Sequence, residues 1–151
     1  MFGIFKSMSR LLVVACACVT FLALPQQASA VVRPYAASGT AQFTGPTTFV
    51  GSGQARHLGR YSEAGSLAFT PTGDPAVLHV EGTIVYTAAN GDELHASVSG
   101  ELNGATGAVN ATVTYTGGTG RFASASGSST LTGQLGAGGS VTVSVRGTID
   151  Y

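Results

Sequence analysis

Tryptophan is absent from this sequence, charged residues make up only 9% of it, and its two cysteines, Cys16 and Cys18, both lie near the start. Without tryptophan, the ring best suited to stacking on sugars is missing. So few charges cannot form the solvating runs of a disordered chain. Beyond Cys18 there is no disulfide, no thiolate nucleophile and no cysteine metal site to invoke. A long apolar run is missing too. The longest, Leu11 to Leu24, is LLVVACACVTFLAL, short of the ~20 residues that a spanning helix needs.

That apolar run has a different reading. Met1 to Arg10 carries Lys6 and Arg10 but no acid, and a break at Pro25 is followed by Ala28-Ser29-Ala30. A basic segment, a short apolar segment and an A-x-A site describe a secretory signal peptide, here 1–30 with cleavage after Ala30. Two rival readings exist. Val13-Val14-Ala15-Cys16 resembles a lipoprotein processing site, although the apolar run continues well past Cys16, and an uncleaved anchor is the other. Cleavage leaves residues 31–151 as one domain of ordinary size, secreted or periplasmic. Without Lys6 and Arg10 the remainder holds five arginines against seven acids and no lysine, a net charge of −2. A chain of that charge offers nothing to polyphosphate, so no nucleic-acid partner is expected. No membrane partner is expected once the leader is gone.

What is abundant is glycine, threonine and valine, arranged with period two. Val141, Val143, Val145, Gly147, Ile149 and Tyr151 alternate with Thr142, Ser144, Arg146, Thr148 and Asp150. One apolar face at period two is a half-buried strand. Val109, Ala111, Val113 and Tyr115 repeat the pattern, as do Leu131, Gly133 and Leu135. The spacing predicts eight strands near 40–44, 53–61, 65–70, 77–88, 92–102, 108–116, 128–135 and 140–150. One hairpin can be registered. A three-residue loop, Ala89-Asn90-Gly91, pairs Tyr86 with Leu94 and keeps every apolar residue on one side, with Gly91 in the left-handed conformation. The outer pairs are then Thr87 with Glu93, Thr83 with Ser97, Glu81 with Ser99 and His79 with Glu101. The fold class is all-β: an eight-stranded antiparallel barrel, with a two-sheet sandwich as the alternative. Inward glycines at Gly53, Gly59, Gly65, Gly82, Gly100, Gly133 and Gly147 favour the barrel, because strongly coiled strands need them.

Chemistry is harder to find. Gly118-x-Gly120-x-x-Ala123 has the spacing of a nucleotide loop but lacks the helix and βαβ unit that loop requires. His79 and His95 fall on the polar face. His57 shares parity with Gly53, Ala55 and Tyr61, which points it into the barrel. Glu81, Glu93, Glu101 and Asp150 are expected outside, and Glu63, Asp74 and Asp92 in loops or at strand ends, so no carboxylate is expected in the interior. Acid–base work usually wants two groups of separated pKa in one cavity. There is no G-x-S-x-G elbow, no H-E-x-x-H and no zinc spacing. Asn110-Ala111-Thr112 is a glycosylation sequon by pattern alone. No catalytic residue, metal or cofactor is assigned. The interior residues placed to meet a ligand are His57, Tyr61, Tyr86, Tyr115 and Phe122, with Phe122 as a plug over one barrel end.

Four stretches carry a resemblance. Ala55-Arg56-His57-Leu58-Gly59-Arg60, Thr87 to Leu94 (TAANGDEL), Gly118 to Gly127 (GTGRFASASG) and the closing Gly147-Thr148-Ile149-Asp150-Tyr151 resemble small secreted bacterial proteins with an allene oxide cyclase-like barrel. The GTGRFASASG element is similar, more distantly, to dirigent proteins and plant allene oxide cyclases. The resemblance implies an eight-stranded antiparallel barrel with an apolar cavity, trimeric in many plant enzymes. No position is matched to the cyclases' buried carboxylate or water-binding polar cluster. The expectation is therefore a non-enzymatic barrel that binds a small apolar molecule, with homo-oligomerisation as a further partner. The alternative is a cyclase- or isomerase-like enzyme on a lipid-derived or phenolic substrate, using His57 with Tyr61 or Tyr86.

Overall fold

The structure, a computed structural model, describes residues 31–151. The expected leader, its cleavage after Ala30 and the Cys16 alternative lie outside the described residues. Eight strands follow one another: β1 (Arg33–Phe43), β2 (Thr48–Ala55), β3 (Gly59–Pro71), β4 (Val77–Ala88), β5 (Glu93–Asn103), β6 (Ala108–Gly118), β7 (Ser126–Leu135) and β8 (Ser140–Asp150). Each pairs antiparallel with the next, and β1 pairs with β8, so the sheet closes into a barrel. Closure decides against the sandwich.

The strongly alternating strands, β4 to β8, lie within two residues of where the periodicity puts them. The first three differ. Residues 40–44 are only the end of β1, residues 65–70 only the middle and end of β3, and no strand runs through 53–61. Residues 56–58 form a turn instead: the Arg56 N–H bonds to the Ala36 carbonyl at 2.8 Å, and His57 and Gly59 take left-handed φ of 78° and 71°. Parity therefore fails across the turn. His57 is not inside the barrel, and Gly59 is the exposed first residue of β3.

The registered hairpin matches in full. Tyr86 pairs with Leu94, Thr87 with Glu93, Thr83 with Ser97, Glu81 with Ser99 and His79 with Glu101. Gly91 has φ 88°, and its N–H closes the loop on the Ala88 carbonyl at 2.9 Å. On the surface, His79 bonds Glu81 of its own strand at 3.0 Å, and His95 bonds Glu93 at 2.9 Å.

The two barrel ends are unlike. One carries the turns 56–58, 89–92 and 119–125 together with the start of β1 and the end of β8. It is plugged. Phe122, held in a 3-10 turn at Gly120–Phe122, is fully buried, and Leu58, Leu94, Ala125 and Ile149 pack as deeply. A bulge at Thr116, unpaired where β6 slips past His95 and Ala96, precedes this turn. Arg121 stays outside, lying over the Phe122 ring at 4.8 Å and 3.7 Å from the Asp92 carboxylate. The other end carries the turns 44–47, 72–76, 104–107 and 136–139, and inward residues near it, among them Phe43, Phe69, Leu102 and Leu135, are only half-buried. That end is open.

A side chain at Gly91 would meet no atom within 4 Å, and the same is true at Gly73, which lacks the positive φ. Gly91→Val should therefore cost about 1–3 kcal/mol from backbone strain alone, whereas Gly73→Val should stay within about 0.5 kcal/mol. Paired denaturant titrations measure both; equal stabilities would contradict the loop geometry.

Candidate functional site

Inward side chains do not fill the barrel. Several inward positions are glycine or alanine, and a chamber of about 310 Å³ remains between the plug and the open end. An eight-stranded barrel is just wide enough to be filled by side chains or to hold one small ligand; here the small residues leave the space partly unfilled. Phe43, Phe69, Leu102 and Leu135 ring the mouth, and Ile84, Val98, Leu131 and Val145 line the wall deeper in.

The floor is different. Tyr61, Glu63 and Tyr86 line the chamber at its inner end, and Glu63 is the only charged residue among its lining. The expectation that Glu63 lies in a loop or at a strand end is corrected here. It sits inside β3, pairs with Gly51 on one side and Tyr86 on the other, and is 7% exposed. The signal was present in parity, since Tyr61, Glu63, Gly65, Leu67 and Phe69 are all odd positions of one strand. Ending a strand at 61 and restarting it at 65 concealed it.

Glycine makes the room. A Cβ on Gly51 would stand 2.6 Å from Glu63 Oε1, and one on Gly53 or Gly39 would stand 2.6 or 2.7 Å from the Tyr61 hydroxyl. The polar ends of Tyr61 and Glu63 therefore lie flat against the β1–β2 wall. The Tyr61 and Tyr86 rings meet edge to face at 5.5 Å. Nearer the plug, Tyr35 and Tyr115 pair edge to face at 5.2 Å, and the Tyr115 hydroxyl bonds the Ser129 hydroxyl at 2.9 Å. The Tyr35 hydroxyl is buried with no hydrogen-bond partner among the described residues.

Electrostatics follow from burial. Loss of water pushes the Glu63 carboxyl up to about 7, because the charged form is penalised in an apolar surround. No hydrogen bond to Glu63 from any described residue offsets that cost. Burial likewise raises Tyr35, Tyr61 and Tyr86, with Glu63 adding to each, and takes Tyr115 up to about 12 against the opposing effect of its Ser129 bond. All four tyrosines remain neutral donors at any working pH. The floor can thus offer hydroxyl donors and one carboxyl that gains or loses a proton near neutrality.

The five residues expected to meet a ligand separate into three groups. Tyr61 and Tyr86 line the chamber. Tyr115 and Phe122 are buried inside the barrel but stand behind the floor and at the plug. His57 is outside, with Nε2 on the Pro34 carbonyl at 3.0 Å and its ring 5.6 Å from that of Tyr151. A second depression, about 440 Å³, lies between Arg56 and Arg146, and Glu63 is not part of its lining. Among the described residues no three His, Asp or Glu side chains converge on a metal position. No protein-family model matches the chain, and no curated protein does.

The raised carboxyl makes stability depend on pH. The folded chain keeps a proton that the unfolded chain releases between about 4.5 and 7. The stability from neutral Glu63 is thus full below that window and lost as pH rises through it. Glu63→Gln, neutral in both states, escapes the loss. The stability of Glu63→Gln relative to the parent should climb between pH 4.5 and 8, by at most about 3 kcal/mol. Urea titrations across that range measure it, and a difference that does not move with pH would contradict the buried, unpartnered carboxyl.

Proposed function

We propose that this chain is an exported barrel of the allene oxide cyclase-like kind that binds one small, mainly apolar molecule in its interior without converting it. The chamber carries the reading: about 310 Å³, apolar in its walls and open at one end, it falls at the lower edge of the ~300–1,000 Å³ range of small-molecule sites. The closed eight-stranded barrel is the architecture that the four quoted stretches lead one to expect. Export rests on the basic, apolar and A-x-A segments of residues 1–30. The outer wall is consistent with a water-facing barrel, since β6 to β8 present Thr112, Thr114, Thr130, Thr132 and Thr142 to solvent rather than the apolar band of a membrane barrel.

One observation favours a second reading. Glu63, with Tyr61 and Tyr86 beside it, gives the chamber a proton donor poised near neutral pH, the property expected of an acid–base group. A cyclase- or isomerase-like enzyme acting on a lipid-derived or phenolic substrate would use Glu63 rather than His57. The two readings separate in one experiment. Purified exported protein is incubated with a lipid extract of its host and examined by native mass spectrometry, alongside Val143→Trp, which narrows the chamber from β8. The binding reading expects a retained small molecule, recovered unchanged, in the parent and at least about tenfold less in the variant. Recovery of a transformed molecule, dependent on Glu63, would establish the enzyme instead. Equal retention by the parent and Val143→Trp would remove the chamber from either account.

A further inference from the structure

We infer that the chamber selects uncharged hydrocarbon ligands that carry one hydrogen-bond-accepting oxygen, such as a ketone, ester or alcohol, with that oxygen docked on the Glu63 carboxyl. The inference rests on the binding reading above and names the ligand class for the same chamber.

Three features of the floor lead there. The first is an unpaired carboxyl: Glu63 is 7% exposed, lines the chamber, and neither donates to nor accepts from any described side chain. A buried polar group without a partner costs far more than the net gain of a paired one, so a ligand atom that pairs with it recovers that cost. The second is the absence of any cation: no arginine or histidine lines the chamber beside Glu63. A fatty carboxylate would place an anion in an apolar space with no cation to neutralise it. The third is reach. The Tyr61 hydroxyl lies over Gly39 and Gly53, on the same wall as the Gly51 that faces Glu63, so the floor presents a second neutral donor to a ligand arriving from the open end.

The groups facing Glu63 make its protonation the switch. They are Tyr61 on its own strand, Tyr35 from β1 and Tyr86 from β4, all held neutral by burial; Tyr115 from β6 stands behind them on Ser129 and is neutral too. From β2 the residue opposite it is Gly51, and that strand carries no titratable group. Ionisation of Glu63 is therefore the one charge change available in the chamber. It converts the donor for an accepting oxygen into an acceptor that repels it.

A matched set of ligands tests this: decan-2-one, decanoate, decylamine and decane, each competed against an uncharged fluorescent probe at pH 6 and pH 8.5. For the parent at pH 6, decan-2-one should bind about tenfold or more tighter than decanoate or decylamine, and several-fold tighter than decane. Its affinity should fall toward that of decane at pH 8.5. Glu63→Gln, whose amide still donates, should keep the ketone preference and lose the pH dependence. Glu63→Leu should bind decane and decan-2-one alike at both pH values. Decanoate or decylamine binding as tightly as the ketone would overturn the inference. So would a ketone preference that survives in Glu63→Leu. If all four ligands bind the parent equally, the binding reading stands and this inference falls. If none binds, while circular dichroism shows the barrel intact, both fall together.

Discussion

The ladder between the first strand and the last is the contact on which everything else depends. From Arg33 opposite Ile149 to Gln42 opposite Ser140, β1 and β8 pair along their whole length. Without that ladder the same eight strands would form an open sheet with two unpaired edges and no interior. With it, strand number sets the width, and eight strands enclose a space that side chains nearly fill. Which side chains point inward then decides whether anything is left over. Here glycine or alanine occupies many inward positions, and Phe122 and its neighbours close one end only. A chamber with a floor and a mouth results.

Glu63 is the element of that floor which stability alone does not explain. Its place in β3 would be filled at lower cost by Leu or Val, as at Leu67 and Val98. The glycines opposite it deepen the puzzle. Gly51 and Gly53 surrender packing on the inner wall of β2, and their missing side chains are what give the Glu63 carboxyl and Tyr61 hydroxyl somewhere to lie. A buried acid held partly neutral, flanked by tyrosines and facing an empty apolar space, is the sort of local penalty that proteins retain for function. On the proposed reading, the chamber walls would supply affinity without selectivity. The floor would supply the selectivity.

How much of this was legible in the sequence varied with side-chain size. From β4 onward, Val, Leu, Ile and Tyr alternate with Thr and Ser strongly enough to locate each strand, and the TAANGDEL hairpin could be registered residue by residue. β1 and β2 are built largely from Ala, Gly, Ser and Thr, whose two faces differ little in hydropathy, so only the segment 40–44 of β1 was marked. The turn at 56–58 escaped notice because it uses no Asn-Gly or Pro signal. His57 takes a left-handed conformation there that histidine adopts uncommonly, and reading a strand through it turned His57 inward. The same misplaced boundary left Glu63 in a supposed loop. The tyrosines survived the error, since Tyr61 and Tyr86 keep their inward parity in either parsing. Phe122 could be foreseen as a plug because one large apolar residue in a run of glycine, serine and alanine has only the barrel end to cover.

The central claim is that a carboxyl group in the floor of an apolar chamber holds its proton up to about neutral pH. The most direct measurement is a carbon-13 NMR titration of the glutamate side-chain carboxyls. Only four glutamates occur in the chain, Glu63, Glu81, Glu93 and Glu101, and the signal lost in Glu63→Gln assigns the one in question. The account predicts that this carboxyl titrates near 7. A midpoint near 4.5, the ordinary value for glutamate, would place Glu63 in water and contradict it.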